Sequence, residues 1–535
     1  MSKQHRWVGL GFLALGVSMI IVDATVVNVA LPTIIRDLGI ELADAEWINT
    51  IYVIMFAALL ITAGRAGDVI GRRRMFHIGV TTFVAASILA GFSQSGGWLI
   101  GSRFLQGLGG SMVLPTALSI VNATFHGRER GIAFGVWGSV IGGMAALGPL
   151  IGGWLTTSHS WRWVFYINVP IGILVFFGTL RWVAEMKDET ARRGFDLRGV
   201  ALLGFGLASL VFGLIEGSRY GWYSSVRDFQ IGSWTWPISA LSPVPIAGLL
   251  AVVLLTAFVA TEGADYRRGK QGLIDVSLFQ LRSFRIGNFV AATRSFGEFG
   301  LVFVLPLFMS GVLGYSAFRI GLTLLPLALG AFFGGPLAAY LAGRIGPGRA
   351  VTFGMFLEAA AVVTASLQLG PELVGWHLAP ALAIYGVGVG IAAAQLSNVI
   401  LVDVPKEQSG QASGIQSTSR QIGSAIGIAL LGTVLAVSLS GLAKTGLAAV
   451  PSIPEQGRVA IADGFRESAG QMLVELRDRP DAAALVPILD DALSQSARRS
   501  GLTGAFIITL GFLMSWALPN SRASTETGER VQADD

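Results

Sequence analysis

The sequence predicts an all-α integral membrane protein: two bundles of six spans, with two further spans inserted between them. Three observations carry this reading. Of 535 residues, 53% are hydrophobic and 13% charged, a balance outside the range of soluble domains. Apolar segments of about 20 residues, the length that crosses a hydrocarbon core, recur near 7–31, 47–66, 75–94, 98–123, 131–156, 163–184, 197–217, 236–260, 285–311, 318–341, 350–370, 378–402, 412–438 and 500–518. Lys and Arg gather in alternate connections, among them GRAGDVIGRRR (64–74), HGRERG (126–131) and DYRRGK (265–270), which assigns those connections to the cytoplasm. An even number of spans then leaves both termini cytoplasmic.

The first segment sets the frame. Lys3 and Arg6 before an apolar run resemble a signal peptide, but the run is long and contains Asp23, so a retained first span is expected. Steps of seven residues through Asp23 give Gly9, Gly16, Asp23 and Ala30, a stripe of small residues on which another helix can pack closely. A carboxylate in a span costs about 2.5 kcal/mol or more and faces the protein interior or a water path. Asp23 is therefore read as a proton carrier, the plainer alternative being a polar pin for helix packing.

Two regions interrupt the regular spacing. Residues 185–196 and 261–284 are charged inner connectors flanking the seventh and eighth segments, which gives units 1–184, 185–284 and 285–535. Residues 439–499 are expected to form a long outer loop with amphipathic helical stretches, either a solvated cap or a lid. A weak repeat relates the halves: GRAGDVIGRRR follows the second segment, and GRIGPGR (343–349) follows its counterpart in the last six. Paired halves with a site between them are a transporter architecture.

The remaining intramembrane charges are few. Arg103, Arg294 and Arg420 lie within spans, and lipid would not solvate them. Arg103, Gln106, Gly107, Gly110 and Ser111 share one helix face; Ser413, Gln416, Ser417, Arg420 and Ser424 share another. At a rise of about 1.5 Å per residue, Asp23 and Arg103 come to similar depths, roughly 24 and 22 Å from the inner boundary. An arginine there would favour the ionised carboxylate. Arg294 and Glu298 are four residues apart and form either a structural pair or a cavity site. Glu358 lies on a mostly apolar face, and it and Glu298 are candidates as further proton carriers. Gln106, Arg294, Glu298, Gln395, Asn398, Gln416 and Arg420 are candidate cavity residues.

In GRAGDVIGRRR, Gly64 and Gly71 permit tight turns, and Asp68 among Arg72 and Arg73 is read as a latch to a neighbouring helix end. Gly148, Pro149, Gly152 and Gly153 weaken the fifth span and allow close approach. No lysine follows them, so this is not a phosphate loop. The absence of cysteine excludes disulfides and thiolate chemistry. No nucleophile with a base can be assembled, so an enzyme is not expected. Neither is a cofactor, a metal or a nucleic-acid partner.

These segments together resemble the major facilitator superfamily, specifically its drug:proton antiporters with fourteen spans. VDATVVNVALP (22–32), GRAGDVIGRRR, RFLQGLGGS (103–111), GPLIGG (148–153), WRWVFYINVPIG (161–172), GYSAFRIGLTLLP (314–326) and GQASGIQSTSRQIGSAIG (410–427) resemble its conserved stretches in order. Met144 and Ser310 stand where the family often has glycine and glutamine. The resemblance implies the major facilitator fold, with Asp23 and Arg103 in proton coupling. It implies that the 64–74 loop steadies one alternating-access state and that 148–153 sets helix packing. The expected function is proton-coupled export of hydrophobic small molecules or drugs from the bacterial inner (cytoplasmic) membrane, by a monomer whose partners are substrate, protons and lipid bilayer. An exporter or flippase of lipid or a metabolite, and a non-transporting scaffold or sensor, are the alternatives.

The orientation is testable. A protease site placed near Ser452 is expected to be cut from the outer face of intact spheroplasts; cutting only after lysis would invert the assignment.

Overall fold

The computed structural model describes residues 3–125, 129, 133, 144, 147–187, 196–231, 234–238, 240–269, 272–274, 276–404, 409–450 and 453–520. The HGRERG loop, most of the fifth expected span and most of the 185–196 connector lie outside the described residues. In the first half, α1 is Lys3–Leu38, α2 Leu42–Ile70, α3 Arg72–Gly91 and α4 Gly96–Thr124. Residues 147–158 form α5, and Asn168–Trp182 forms α6 after a helical turn at Trp163–Tyr166. The inserted pair is α7 (Leu197–Tyr220) and α8 (Pro243–Arg267). The second half contains α9 (Arg282–Gly311), α10 (Ala317–Ile345), α11 (Pro347–Gln368), α12 (Ala379–Leu401) and α13 (Ser409–Leu447). It continues through the short α14 (Glu455–Glu467) and α15 (Met472–Leu476) to α16 (Val486–Ser515).

Among the described residues, twelve helices are long and apolar enough to cross a membrane. The last expected segment, 500–518, falls largely in α16, which packs against α9, α11 and α13. A two-residue antiparallel ladder, Gln230–Ile231 with Trp234–Thr235, lies between α7 and α8; the sequence reading did not anticipate it.

Small residues fix the packing, because backbone can approach backbone where no side chain intervenes. A side chain at Gly9 would meet the Trp182 carbonyl at 3.0 Å, and one at Gly16 would meet Phe76 at 2.8 Å. The stripe on α1 therefore seats α6 and α3. On α4, a side chain at Gly107 would meet the Tyr52 carbonyl at 2.6 Å and one at Gly109 the Phe83 nitrogen at 2.7 Å, so α4 is wedged between α2 and α3.

Helix α5 is the bridge between halves. Its Gly148 packs on Thr25 and its Gly152 on Val26, both on α1. On its other side Gly153 abuts the Ala317 carbonyl, and the Pro149 carbonyl abuts Gly321, both on α10. An added methyl at Gly148 or Gly152 would push α5 off α1, and one at Gly153 or Gly321 would push the halves apart.

The inserted pair is tied to both halves through α7. The Trp47 indole of α2 donates to Glu216 at 2.9 Å, and the Thr433 hydroxyl of α13 donates to the Leu214 carbonyl at 2.7 Å. Helix α8 leaves Leu249, Val252 and Val259 exposed, an apolar surface suited to lipid.

The expected outer loop 439–499 is shorter than its sequence limits, because α13 continues to Leu447 and α16 already begins at Val486. Between them α14 and α15 fold down as a cap. Phe465 and Leu473 are buried, Gln471 donates to the Leu307 carbonyl of α9 at 3.1 Å, and Arg466 donates to the Ser218 carbonyl of α7.

The two repeated loops adopt one design. Gly71 between α2 and α3 has φ +126°, and Gly346 between α10 and α11 has φ +91°, conformations that favour glycine. Each following helix is capped from a distant chain segment. Glu185 accepts from the Arg73 and Arg74 amides at 3.0 and 3.1 Å, and Asn520 accepts from the Arg349 amide at 3.2 Å. Glu185→Ala is expected to lower stability by about 1 kcal/mol through loss of this cap, read as a fall in thermal midpoint of the purified protein. Glu185→Gln should keep most of it.

Candidate functional site

Asp23, Arg103 and Gln106 meet in one sealed network. Asp23 and Arg103 are each 1% exposed, and Gln106 is fully buried. The Arg103 guanidinium donates to Asp23 Oδ2, and Nη1 also donates to Gln106 Oε1 at 2.8 Å. Its Nε donates to the Ile48 carbonyl at 3.1 Å, and the group stacks over the Tyr52 ring at 4.2 Å. Asp23 Oδ1 accepts from Gln106 Nε2 at 3.0 Å and from Asn168 Nδ2 at 2.9 Å. The same two amides donate to Ser87 Oγ, at 2.8 and 3.2 Å.

Five helices converge here: α1 brings Asp23, α2 the Ile48 carbonyl and Tyr52, α3 Ser87, α4 Arg103 and Gln106, and α6 Asn168. Three donors thus occupy the acceptor capacity of one carboxylate. Gln106, a candidate cavity residue by sequence, is packed on Asp23. Ser87, Tyr52 and Asn168 were not singled out. Only Asn168, within WRWVFYINVPIG, carried a signal, as a lone amide in an apolar run.

A second network lies in the other half. Arg294 is 3% exposed; its Nη2 lies 3.0 Å from Glu298 and its Nε donates to Glu358 Oε1 at 3.2 Å. Glu358 is wholly buried, so the apolar face assigned to it closes around Arg294. Its Oε2 and the hydroxyl of Tyr385 have no partner among the described residues. The sequence pairs Arg294 only with its i,i+4 neighbour, because Glu358 lies 64 residues away.

The other candidates separate into three groups. Gln416 of α13 donates to Ser397 of α12 at 2.7 Å, while Gln395 accepts from the exposed Asn398 at 3.4 Å. Arg420 is exposed, within electrostatic range of Arg294 and Glu298. In the loop, Asp68 pairs with Arg72 four residues on, at 2.8 Å. Arg72 is the first residue of α3, so this pair ties the end of α2 to the start of the next helix across Gly71. Arg73 reaches further, donating to the Val183 carbonyl just beyond α6 at 2.9 Å, alongside the Glu185 cap. Gly64 stands at ordinary contact distance from Pro115.

The Arg103–Asp23 pair gives a structural prediction. Removing one partner of a buried ion pair strands the other charge, a loss of roughly 3–5 kcal/mol. Arg103→Ala is expected to lower the thermal midpoint markedly, and adding Asp23→Asn to it should recover much of the loss.

The geometry can be set beside known proteins. A family model for the Major Facilitator Superfamily matches residues 13–201 and 182–428. The chain is 33% identical over 525 residues to a probable actinorhodin transporter of Streptomyces coelicolor, covering 93% of this chain and 86% of that protein. It is 32% identical over 513 residues to the multidrug resistance protein Stp of Mycobacterium tuberculosis, covering 94% and 90%. It is 34% identical over 436 residues to a puromycin resistance protein of Streptomyces alboniger, covering 80% and 82%. In fold it is similar to the inward-facing, unoccupied structure of a bacterial homologue of the human lysosomal transporter Spinster, with a TM-score of 0.63 at 16% identity over 97% of this chain and 98% of that one. The bacterial relatives agree with the expected inner-membrane location. The chain belongs to the Major Facilitator Superfamily and is a multi-pass membrane transporter, not an enzyme.

Proposed function

We propose that the protein exports hydrophobic small molecules in exchange for protons, by alternating access between its two halves. The observation that carries this is the Asp23–Arg103 network: one acid and one base, sealed together at the meeting point of five helices. Several similar proteins are named as antibiotic or multidrug resistance and export proteins, which supports a drug-like cargo.

A proton on Asp23 would cancel the charge that holds Arg103. Arg103 would keep the Ile48 carbonyl, Gln106 and Tyr52, all on α2 and α4, so the tie released is the one to α1. Two and three residues further on, Thr25 and Val26 of α1 seat the glycines of α5, and α5 rests on α10. Protonation thus acts on the element that spans the halves. Coupling requires only that proton and cargo favour opposite states. Glu298 and Glu358, held by Arg294, are the corresponding groups in the second half, and Glu298, still partly exposed, is the one cargo can reach.

Asp23→Asn tests the reading, since it keeps the size and removes the titrating group. In inverted vesicles, efflux driven by a pH gradient is expected to disappear while the folded protein remains in the membrane. Unchanged pH-driven efflux would refute the coupling role. Glu298→Gln is expected to change the profile among cations more than among neutral compounds; an equal effect on all would assign Glu298 to the structural pair.

A further inference from the structure

We propose that the cargo carries an acidic group, a carboxylate or ionised phenol on a lipophilic body, and that Arg420 binds it. The inference rests on the export reading above and specifies the substrate class.

The three arginines inside spans are not alike. Arg103 and Arg294 are buried and bonded to acids. Arg420 is exposed and, among the described residues, its guanidinium makes no hydrogen bond or ion pair. It stands roughly 17 Å along α13 from Ser409, near mid-membrane depth. Lipid is not what it faces. Gly423 and Gly427, three and seven residues on and therefore on the same face, pack against Ala292 and Phe296 of α9. Four residues before it, Gln416 bonds to α12.

A guanidinium at that depth is sustained by water in a cavity or by a bound anion. The nearby acids are bonded elsewhere. Glu298 lies within electrostatic range of Arg420, as Arg294 does, but is held by Arg294 at 3.0 Å, and the wholly buried Glu358 is bonded to the same arginine. The fifth span, which the structure describes only in part, has no Asp or Glu anywhere in 131–156, so it supplies no counter-charge either. Among the described residues, Arg420 is therefore the intramembrane arginine to which no acid is bonded. A planar guanidinium fork matches a carboxylate through two parallel hydrogen bonds, and a phenolate through one charge-assisted bond. A cationic cargo would meet repulsion at the same place.

The test uses 1-pyrenebutyrate and its neutral isostere 1-pyrenebutyramide. Binding to the purified full-length protein in detergent is followed by fluorescence anisotropy. Wild type is expected to bind the carboxylate about tenfold or more tightly than the amide, the value of a charge-assisted hydrogen bond. Arg420→Gln should abolish that preference by weakening the carboxylate alone, and Arg420→Lys should restore part of it. Neither change removes a contact that holds the fold. Equal binding of the two probes by wild type, no binding of the carboxylate, or an unchanged preference in Arg420→Gln would overturn the proposal. Carboxylate that binds through Arg420 but is not carried into energised inverted vesicles would sink the export reading and leave the anion site standing.

Discussion

Charge in a low-dielectric slab must be neutralised where it lies, and that constraint organises this protein. Asp23 is paired by Arg103, and two amides occupy the acceptor capacity that remains. Because the donors come from separate helices, satisfying one carboxylate fixes the relative placement of α1, α4 and α6. Ser87 of α3 and the Ile48 carbonyl of α2 extend the same requirement outward. Arg294 imposes the equivalent condition on α9 and α11 through Glu298 and Glu358. Hydrophobic burial cannot do this, since lipid tails are as apolar as the side chains. Polar pairing supplies the register, and dispersion between close backbones supplies the cohesion.

Those close backbones lie at the seam between the halves. In the described part of α5, its glycines meet the short Thr25 and Val26 of α1, and on the α10 side its contacts are glycine or proline against backbone. Smooth surfaces of this kind shift by small steps without a change of rotamers. By contrast, the helix ends at Gly71 and Gly346 are pinned by caps from remote segments, so each behaves as a fixed corner. The molecule thus combines stiff corners with a slippery seam.

Much of this was legible in the sequence because membrane helices are constrained one residue at a time. Span lengths follow from the backbone's need for internal hydrogen bonds. Asp23 and Arg103 could be matched by depth alone, since a rise per residue converts sequence position into height. What depth cannot give is azimuth. It did not show that Gln106 turns toward Asp23, nor that Glu358 turns toward Arg294. Asn168 and Ser87 are ordinary polar residues until three helices bring them to one carboxylate. Asp68 finds its helix end close by: Arg72, four residues on and across the Gly71 break, opens α3. Glu185, which does reach across to the loop, sits in a charged stretch where nothing in the local pattern distinguishes it from its neighbours.

The sealing of Asp23 has an energetic consequence for the cell that carries the protein. A carboxylate open to water on either side would relay protons whenever thermal motion swung it, and a membrane studded with such relays would short-circuit its own gradient. At 1% exposure, with an arginine and two amides against it, this carboxylate is closed to water from both sides. In this conformation it offers protons no path, so under the export reading proposed above the idle protein would insulate the membrane, and its expression without cargo would impose little respiratory burden.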